Sequence, residues 1–98
     1  MRDVVWSESA LADADELFAY NPVAASKVLD RIEKTAQFLG RIATGRRGRV
    51  EGTYEKSVTG LPYVIAYGIN LLPSGVEQIV ILHVIHTARD WPKGASPK

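Results

Sequence analysis

Apolar residues recur along this chain at two spacings, a helical one in the first half and a strand-like one in the second, and the change of period divides it into elements. Asp3 to Trp6 reads as a short strand. Ser7 stands where an N-cap is needed. From there Ala10, Leu11, Ala14, Leu17 and Phe18 recur at helical intervals to about Tyr20, while Glu8, Asp13, Asp15 and Glu16 fall on the other side. Asn21-Pro22 closes this helix and opens the next, because asparagine caps and proline is tolerated at the first helical position. The second helix runs to about Leu39, with Ala25, Val28, Leu29, Ile32, Ala36 and Leu39 as its buried stripe, and Gly40 is expected to stop it. Two helices separated by two residues form an antiparallel hairpin whose joint apolar stripe must cover something.

The second half supplies a sheet to be covered. Val50 to Val58 reads as a strand, Thr59-Gly60 as a tight turn and Leu61 to Asn70 as the hairpin partner; Pro73-Ser74-Gly75 then turns the chain into a strand from Val76 to His86. Short connections predict antiparallel pairing, and Val4 to Trp6 is available to join the same sheet at an edge. The expected fold is α+β, an N-terminal helical hairpin on a small, curved antiparallel sheet. No repeat or boundary interrupts the chain, so residues 1–98 are expected to form a single domain with a frayed tail at 93–98.

Strand alternation sorts side chains by face. Arg49, Glu51, Thr53, Glu55 and Ser57 share one parity and are expected to face solvent, although Tyr54 and Lys56 share the parity of Val50 and Val58, and Gly52 is a candidate bulge. Tyr63 and Tyr67 share parity with Leu61, Ile65 and Ile69, which gives them core or partner-groove packing by default. The last strand is apolar on both parities and is therefore expected to be central. If it stays regular, His83 and His86 point to opposite faces.

Composition narrows the chemistry. The profile of 98 residues, 46% hydrophobic and 23% charged, is that of one small soluble domain with too little core for a large enzyme pocket. The absence of cysteine excludes disulfides, thiolate metal sites and a thiol nucleophile, and suits the cytoplasm. No apolar run is long enough to span a membrane, and Met1-Arg2-Asp3 lacks the charged-then-apolar layout expected of a signal peptide. No cofactor or metal is expected. The net charge of +1 is divided unevenly: up to Gly40 four Lys/Arg stand against seven Asp/Glu, and from Arg41 onward eight stand against four. Arg41, Arg46, Arg47 and Arg49 make a local density suited to a phosphate backbone or an acidic partner, or simply a solvated connection. His86 and Arg89 add an imidazole and a guanidinium near the end of the chain, beside Trp91.

Trp6-Ser7 with Ala10, Asn21-Pro22-Val23-Ala24-Ala25, Gly45-Arg46-Arg47-Gly48-Arg49-Val50-Glu51-Gly52-Thr53, Gly60-Leu61-Pro62-Tyr63 with Tyr67, and Ile81-Leu82-His83-Val84-Ile85-His86 with Ala88-Arg89-Asp90-Trp91-Pro92 occur in order over nearly the whole chain. Together these segments resemble toxins of the RelE/ParE superfamily. The resemblance implies a helical hairpin packed on a small antiparallel sheet. It also implies the toxin half of a bacterial type II toxin–antitoxin module of the plasmid-stabilisation kind, which inhibits growth and is held harmless by a cognate antitoxin. Two targets go with the family: ParE-like members poison DNA gyrase, and RelE-like members cleave mRNA on the translating ribosome.

Metal-free mRNA cleavage needs a base for the ribose 2′-hydroxyl, an acid for the leaving oxygen and cations on the phosphate. His86 is the candidate acid, Glu55 or Glu51 the base, and Arg49 with Arg89 the cations. RelE-like nucleases bring more lysine and arginine and a C-terminal tyrosine, and His83 stands where such relatives commonly have arginine. A binding inhibitor needs only an exposed patch with a few anchors, for which Arg46, Arg47, Arg49, Arg89 and Trp91 are the candidates, although a tryptophan after a strand end more often lies over the core as a lid. The balance favours a ParE-like gyrase inhibitor, with the ribosome-dependent nuclease as the alternative and an inactive, antitoxin-binding relative as a further one.

Overall fold

The computed structural model describes residues 2–43, 45–48 and 50–87. Arg49, Arg89 and Trp91, as well as the tail at 93–98, lie outside the described residues. The described chain runs β1 (Asp3–Trp6), α1 (Glu8–Tyr20), α2 (Pro22–Arg41), β2 (Arg46–Arg47), β3 (Tyr54–Ser57), β4 (Tyr63–Leu71) and β5 (Glu77–His86). The strands form one sheet in the order β1-β5-β4-β3-β2. β2 to β5 pair antiparallel, as their short connections require, and β1 adds to the edge in parallel with β5. The α+β expectation holds, with β5 inside the sheet rather than at its rim.

Both helix starts form as their capping residues dictate. Ser7 Oγ accepts the Ala10 N–H at 3.0 Å, an interaction worth about 1 kcal/mol. Asn21 ends α1 by donating its N–H to the Leu17 carbonyl and starts α2 by accepting from Ala24 N–H, with Pro22 in the first helical position. The α2 stripe is as expected: Ala25, Ile32, Ala36 and Leu39 are buried and Val28 and Leu29 half-buried. In α1 only Ala10 is buried, and Leu11 and Phe18 remain exposed because they sit on the flank of the helix away from the sheet contact.

Gly40 does not stop α2. The helix continues to Arg41, and Gly40 is buried against β1, its carbonyl accepting the Arg2 N–H at 2.8 Å. A Cβ at this position would stand 2.7 Å from the Arg2 carbonyl oxygen and 2.9 Å from Val4 Cγ2, so the missing side chain is what lets β1 lie against the helix.

The face beneath the helices carries the core. Trp6, Ile81, Tyr67 and Tyr54 are aligned across four strands, and Tyr54 stacks on Tyr67 with ring centroids 5.5 Å apart. Ile79, Ile81, Ile65 and Tyr67 join Ala10, Ile32, Ala36, Leu39 and Val58 in one cluster. Burial pushes the Tyr67 phenol above its ordinary value; Tyr54 adds to the rise and Arg2 opposes it. Unfolding returns the phenol to about 10, so the stability tied to its neutral form is intact below that pH and is lost as the pH climbs towards the folded value. Denaturant midpoints measured from about pH 8 to about pH 11 are therefore expected to fall steeply at the alkaline end. In Tyr67→Phe the fall is expected to be shallower.

β5 is not regular. Ala66 pairs with His83 but Tyr67 with Ile81, so Leu82 is an extra residue that resets the faces. Before it Ile79 and Ile81 point to the core; after it Val84, opposite Ile65, takes over, and Ile85 and His83 turn to the other face. From His83 onward the strand alternates normally, so the two histidines do lie on opposite faces.

Candidate functional site

β1 accompanies β5 only as far as the Trp6–Ile81 pair, and beyond it the bulge leaves β5 backbone groups that two α1-side residues satisfy. Ser7 N–H donates to the Ile81 carbonyl at 2.9 Å and Ser7 Oγ to the Leu82 carbonyl at 3.0 Å. Asp13 Oδ2 accepts the Val84 N–H at 2.9 Å and lies 3.2 Å from His83 Nδ1. Asp13 therefore does not belong to the solvent side of α1, where helical periodicity placed it. A carboxylate can accept but not donate, so the ring hydrogen of His83 sits on Nδ1 in this arrangement.

Beside this clasp the turn end of the helical hairpin forms a cavity of about 630 Å³ over β4 and β5. Leu17, Ala25, Val28, Leu29 and Val84 supply its apolar lining, Asp13 and Glu16 its carboxylates, and Tyr20, Tyr63 and His86 its aromatic edges. His86 meets Tyr63 edge-on, with ring centroids 5.1 Å apart. Of these residues only His86 and Tyr63 stood out in the sequence. Asp13, Glu16 and Tyr20 are spaced three and four apart on α1, a signal that one helix face is shared by acidic and aromatic groups.

The other face of the sheet holds a polar row. Arg46, Glu55, Ala66 and His83 are register partners across β2, β3, β4 and β5. Glu55 was expected to face solvent, yet it is only 4% exposed. The reason is that Val50 to Thr53 forms a turn rather than a strand, closed by Thr53 N–H to the Val50 carbonyl and Gly48 N–H to the Thr53 carbonyl. The strand consequently begins at Tyr54, and Glu55 is flanked by β2 on one side and β4 on the other. Arg46 Nη2 meets its Oε1 at 3.3 Å, pairing a carboxylate that would be costly to bury alone. Gly45, with φ at +123°, carries the chain into β2 where a Cβ would come within 2.5 Å of the Glu55 carbonyl oxygen.

Arg46 and Arg47 are both exposed on the edge strand, and Arg46 is committed to Glu55. Glu51 is exposed in the turn. His86 and Glu55 are not brought together: Glu55 pairs with Ala66, His86 with Tyr63, and that odd separation on β4 puts them on opposite faces of the sheet. Among the described residues no three His, Cys, Asp or Glu side chains converge as a metal site, and no helix is long and apolar enough to cross a membrane.

The sequence model of the ParE toxin of type II toxin–antitoxin systems, parDE, matches residues 4–91. The chain belongs to the ParE toxin family. A protein of Sinorhizobium fredii (strain NBRC 101917 / NGR234) named "Putative toxin Y4kP" is 34% identical over 93 residues, covering 90% of this chain and 91% of its own. Among solved structures, a chain of the chromosomal ParDE system from P. aeruginosa superposes with a TM-score of 0.75 at 21% identity, over 88% of this chain and 96% of its own. A chain of the RelBE2 toxin–antitoxin complex from Mycobacterium tuberculosis gives a TM-score of 0.60 at 26% identity, over 90% and 93% respectively. The ParE fold thus agrees with the hairpin-on-sheet architecture, and the chain is a type II toxin of the wider RelE/ParE superfamily.

Proposed function

We propose that this ParE-family toxin arrests bacterial growth from the cytoplasm by binding DNA gyrase, and that a cognate antitoxin neutralises it. The observation that carries the binding mode over nuclease chemistry is the separation of His86 from Glu55. General acid–base cleavage needs its acid and base within hydrogen-bond reach of opposite ends of one phosphodiester. A five-stranded sheet stands between these two, and the Glu55 side chain is only 3% exposed with Arg46 against it. A binding inhibitor requires neither group to be free. It requires exposed anchors, and the Arg46–Arg47 edge is one, with Arg49, Arg89 and Trp91 as the sequence candidates that complete the patch.

The test is expression without the antitoxin, followed by two readouts: gyrase-linked DNA cleavage and supercoiling on one side, intact mRNA and translation on the other. Gyrase poisoning with mRNA preserved is the expected result. Collapse of mRNA on the ribosome would replace the proposal with the RelE-like activity, and growth without arrest would leave an inactive antitoxin-binding relative. His86→Gln separates the two mechanisms at residue level. Potency is expected to stay within about threefold of wild type, whereas loss of a general acid lowers a rate by about 100-fold or more.

A further inference from the structure

The cavity at the turn end of the helical hairpin has two carboxylates and, among the described residues that line it, no lysine or arginine. We infer that its mouth is a recognition slot for one basic side chain of the antitoxin, read by Asp13 with His83 as a positioning residue; the assignment rests on the toxin–antitoxin reading above.

The state of Asp13 is the central observation. Its two hydrogen-bond partners, Val84 N–H and His83 Nδ1, both meet Oδ2, and among the described residues Oδ1 has no hydrogen-bond partner. The backbone of a bulged strand and an imidazole fix one oxygen of the carboxylate, so the group is held in place before any ligand arrives. Its side chain is 25% exposed, open enough to be met and sheltered enough for the charge to count. Glu16, three residues on, lines the same cavity.

The rest of the slot states what must accompany the cation. Leu17, Val28, Leu29 and Val84 line the cavity with apolar surface. About 630 Å³ holds a few side chains rather than a whole helix. The occupant is therefore a short stretch of partner chain in which one lysine or arginine is flanked by apolar residues. A second copy of this protein would have to bring its exposed Arg46–Arg47 pair, on the edge strand β2, to a different part of its neighbour, the cavity over β4 and β5.

Coupling energies between toxin and antitoxin residues test this. In the purified toxin–antitoxin complex, Asp13→Asn is combined with replacement of each antitoxin lysine and arginine by glutamine, one at a time. Asp13→Asn is expected to weaken the complex about tenfold and to be coupled to one basic position, the coupling growing at low salt. His83→Arg keeps Asp13 but gives it a permanent internal cation. It is expected to lower both the affinity and the coupling while thermal stability is unchanged or higher, a combination that a purely structural role for His83 would not produce. It also provides the measurement if Asp13→Asn does not fold. Wild-type affinity in a folded Asp13→Asn toxin, or a loss coupled to no single basic residue, overturns the slot while leaving the antitoxin reading intact. Self-association of the antitoxin-free protein that disappears in Asp13→Asn overturns it in favour of a second copy. Failure of the wild-type proteins to form any complex overturns the antitoxin reading itself.

Discussion

Gly40→Val is expected to destabilise the protein by about 3 kcal/mol, and even Gly40→Ala is expected to destabilise it. Helix propensity alone predicts the opposite sign for alanine, a gain of about 1 kcal/mol in a helix interior. The steric term wins because the atom in the way is backbone. A Cβ would stand 2.7 Å from the Arg2 carbonyl oxygen, and relieving that contact means moving β1 off α2 and lengthening the 2.8 Å hydrogen bond from Arg2 N–H to the Gly40 carbonyl. Valine adds two methyl groups towards Val4, whose Cγ2 is already 2.9 Å from the Cβ position. For a chain of this size the valine variant should melt roughly 15 °C lower. Thermal denaturation followed by circular dichroism checks it, and an alanine variant as stable as wild type would show that β1 can shift at little cost.

The same residue shows where sequence reasoning stops. Glycine after an apolar stripe is a common helix end, and nothing in a one-dimensional pattern reveals that another strand will cross the helix there. The elements with strong local chemistry were legible: Ser7 as a cap, Asn21-Pro22 as a shared boundary, the α2 stripe, and the turns at Thr59-Gly60 and Pro73-Ser74-Gly75. Those decided by tertiary pairing were not. Glu55 followed the parity of solvent-facing residues, but parity gives only the face and not what lies beside it, and strands on both flanks bury the side chain. The bulge at Leu82 left no trace because β5 is apolar on both parities, so a one-residue slip costs the pattern nothing.

The bulge also explains why Asp13 was read as a surface residue. Periodicity assigned it by its position on α1, whereas its partners are created by an irregularity seventy residues away in β5. Once Leu82 is inserted, the Leu82 carbonyl and the Val84 N–H need partners from outside the ladder, and Ser7 and Asp13 are the groups that α1 brings to that edge. The acidic and basic halves of the sequence accordingly place charged residues at two separate surfaces. One lies over β4 and β5 beneath the hairpin, and the other is the β2 edge of the sheet.

At that edge, reversing one charge is expected to remove most of the toxicity. Arg46 is held by Glu55, so replacing it disturbs a buried carboxylate and confounds binding with folding. Arg47 is the cleaner choice: it is exposed and sits on the edge strand β2, opposite Tyr54. Arg47→Glu should therefore leave the melting temperature within a few degrees of wild type, as surface substitutions usually change stability by less than about 0.5 kcal/mol. In a purified gyrase supercoiling assay the inhibitory concentration should rise about tenfold or more, with the larger increase at low salt, because an exposed charge acts mainly on encounter. Arg47→Lys, which keeps the charge and loses only the planar fork, should stay close to wild type unless the guanidinium grips a carboxylate through two hydrogen bonds, in which case lysine is also impaired. Wild-type potency in a folded Arg47→Glu protein would remove the β2 edge from the target-binding surface.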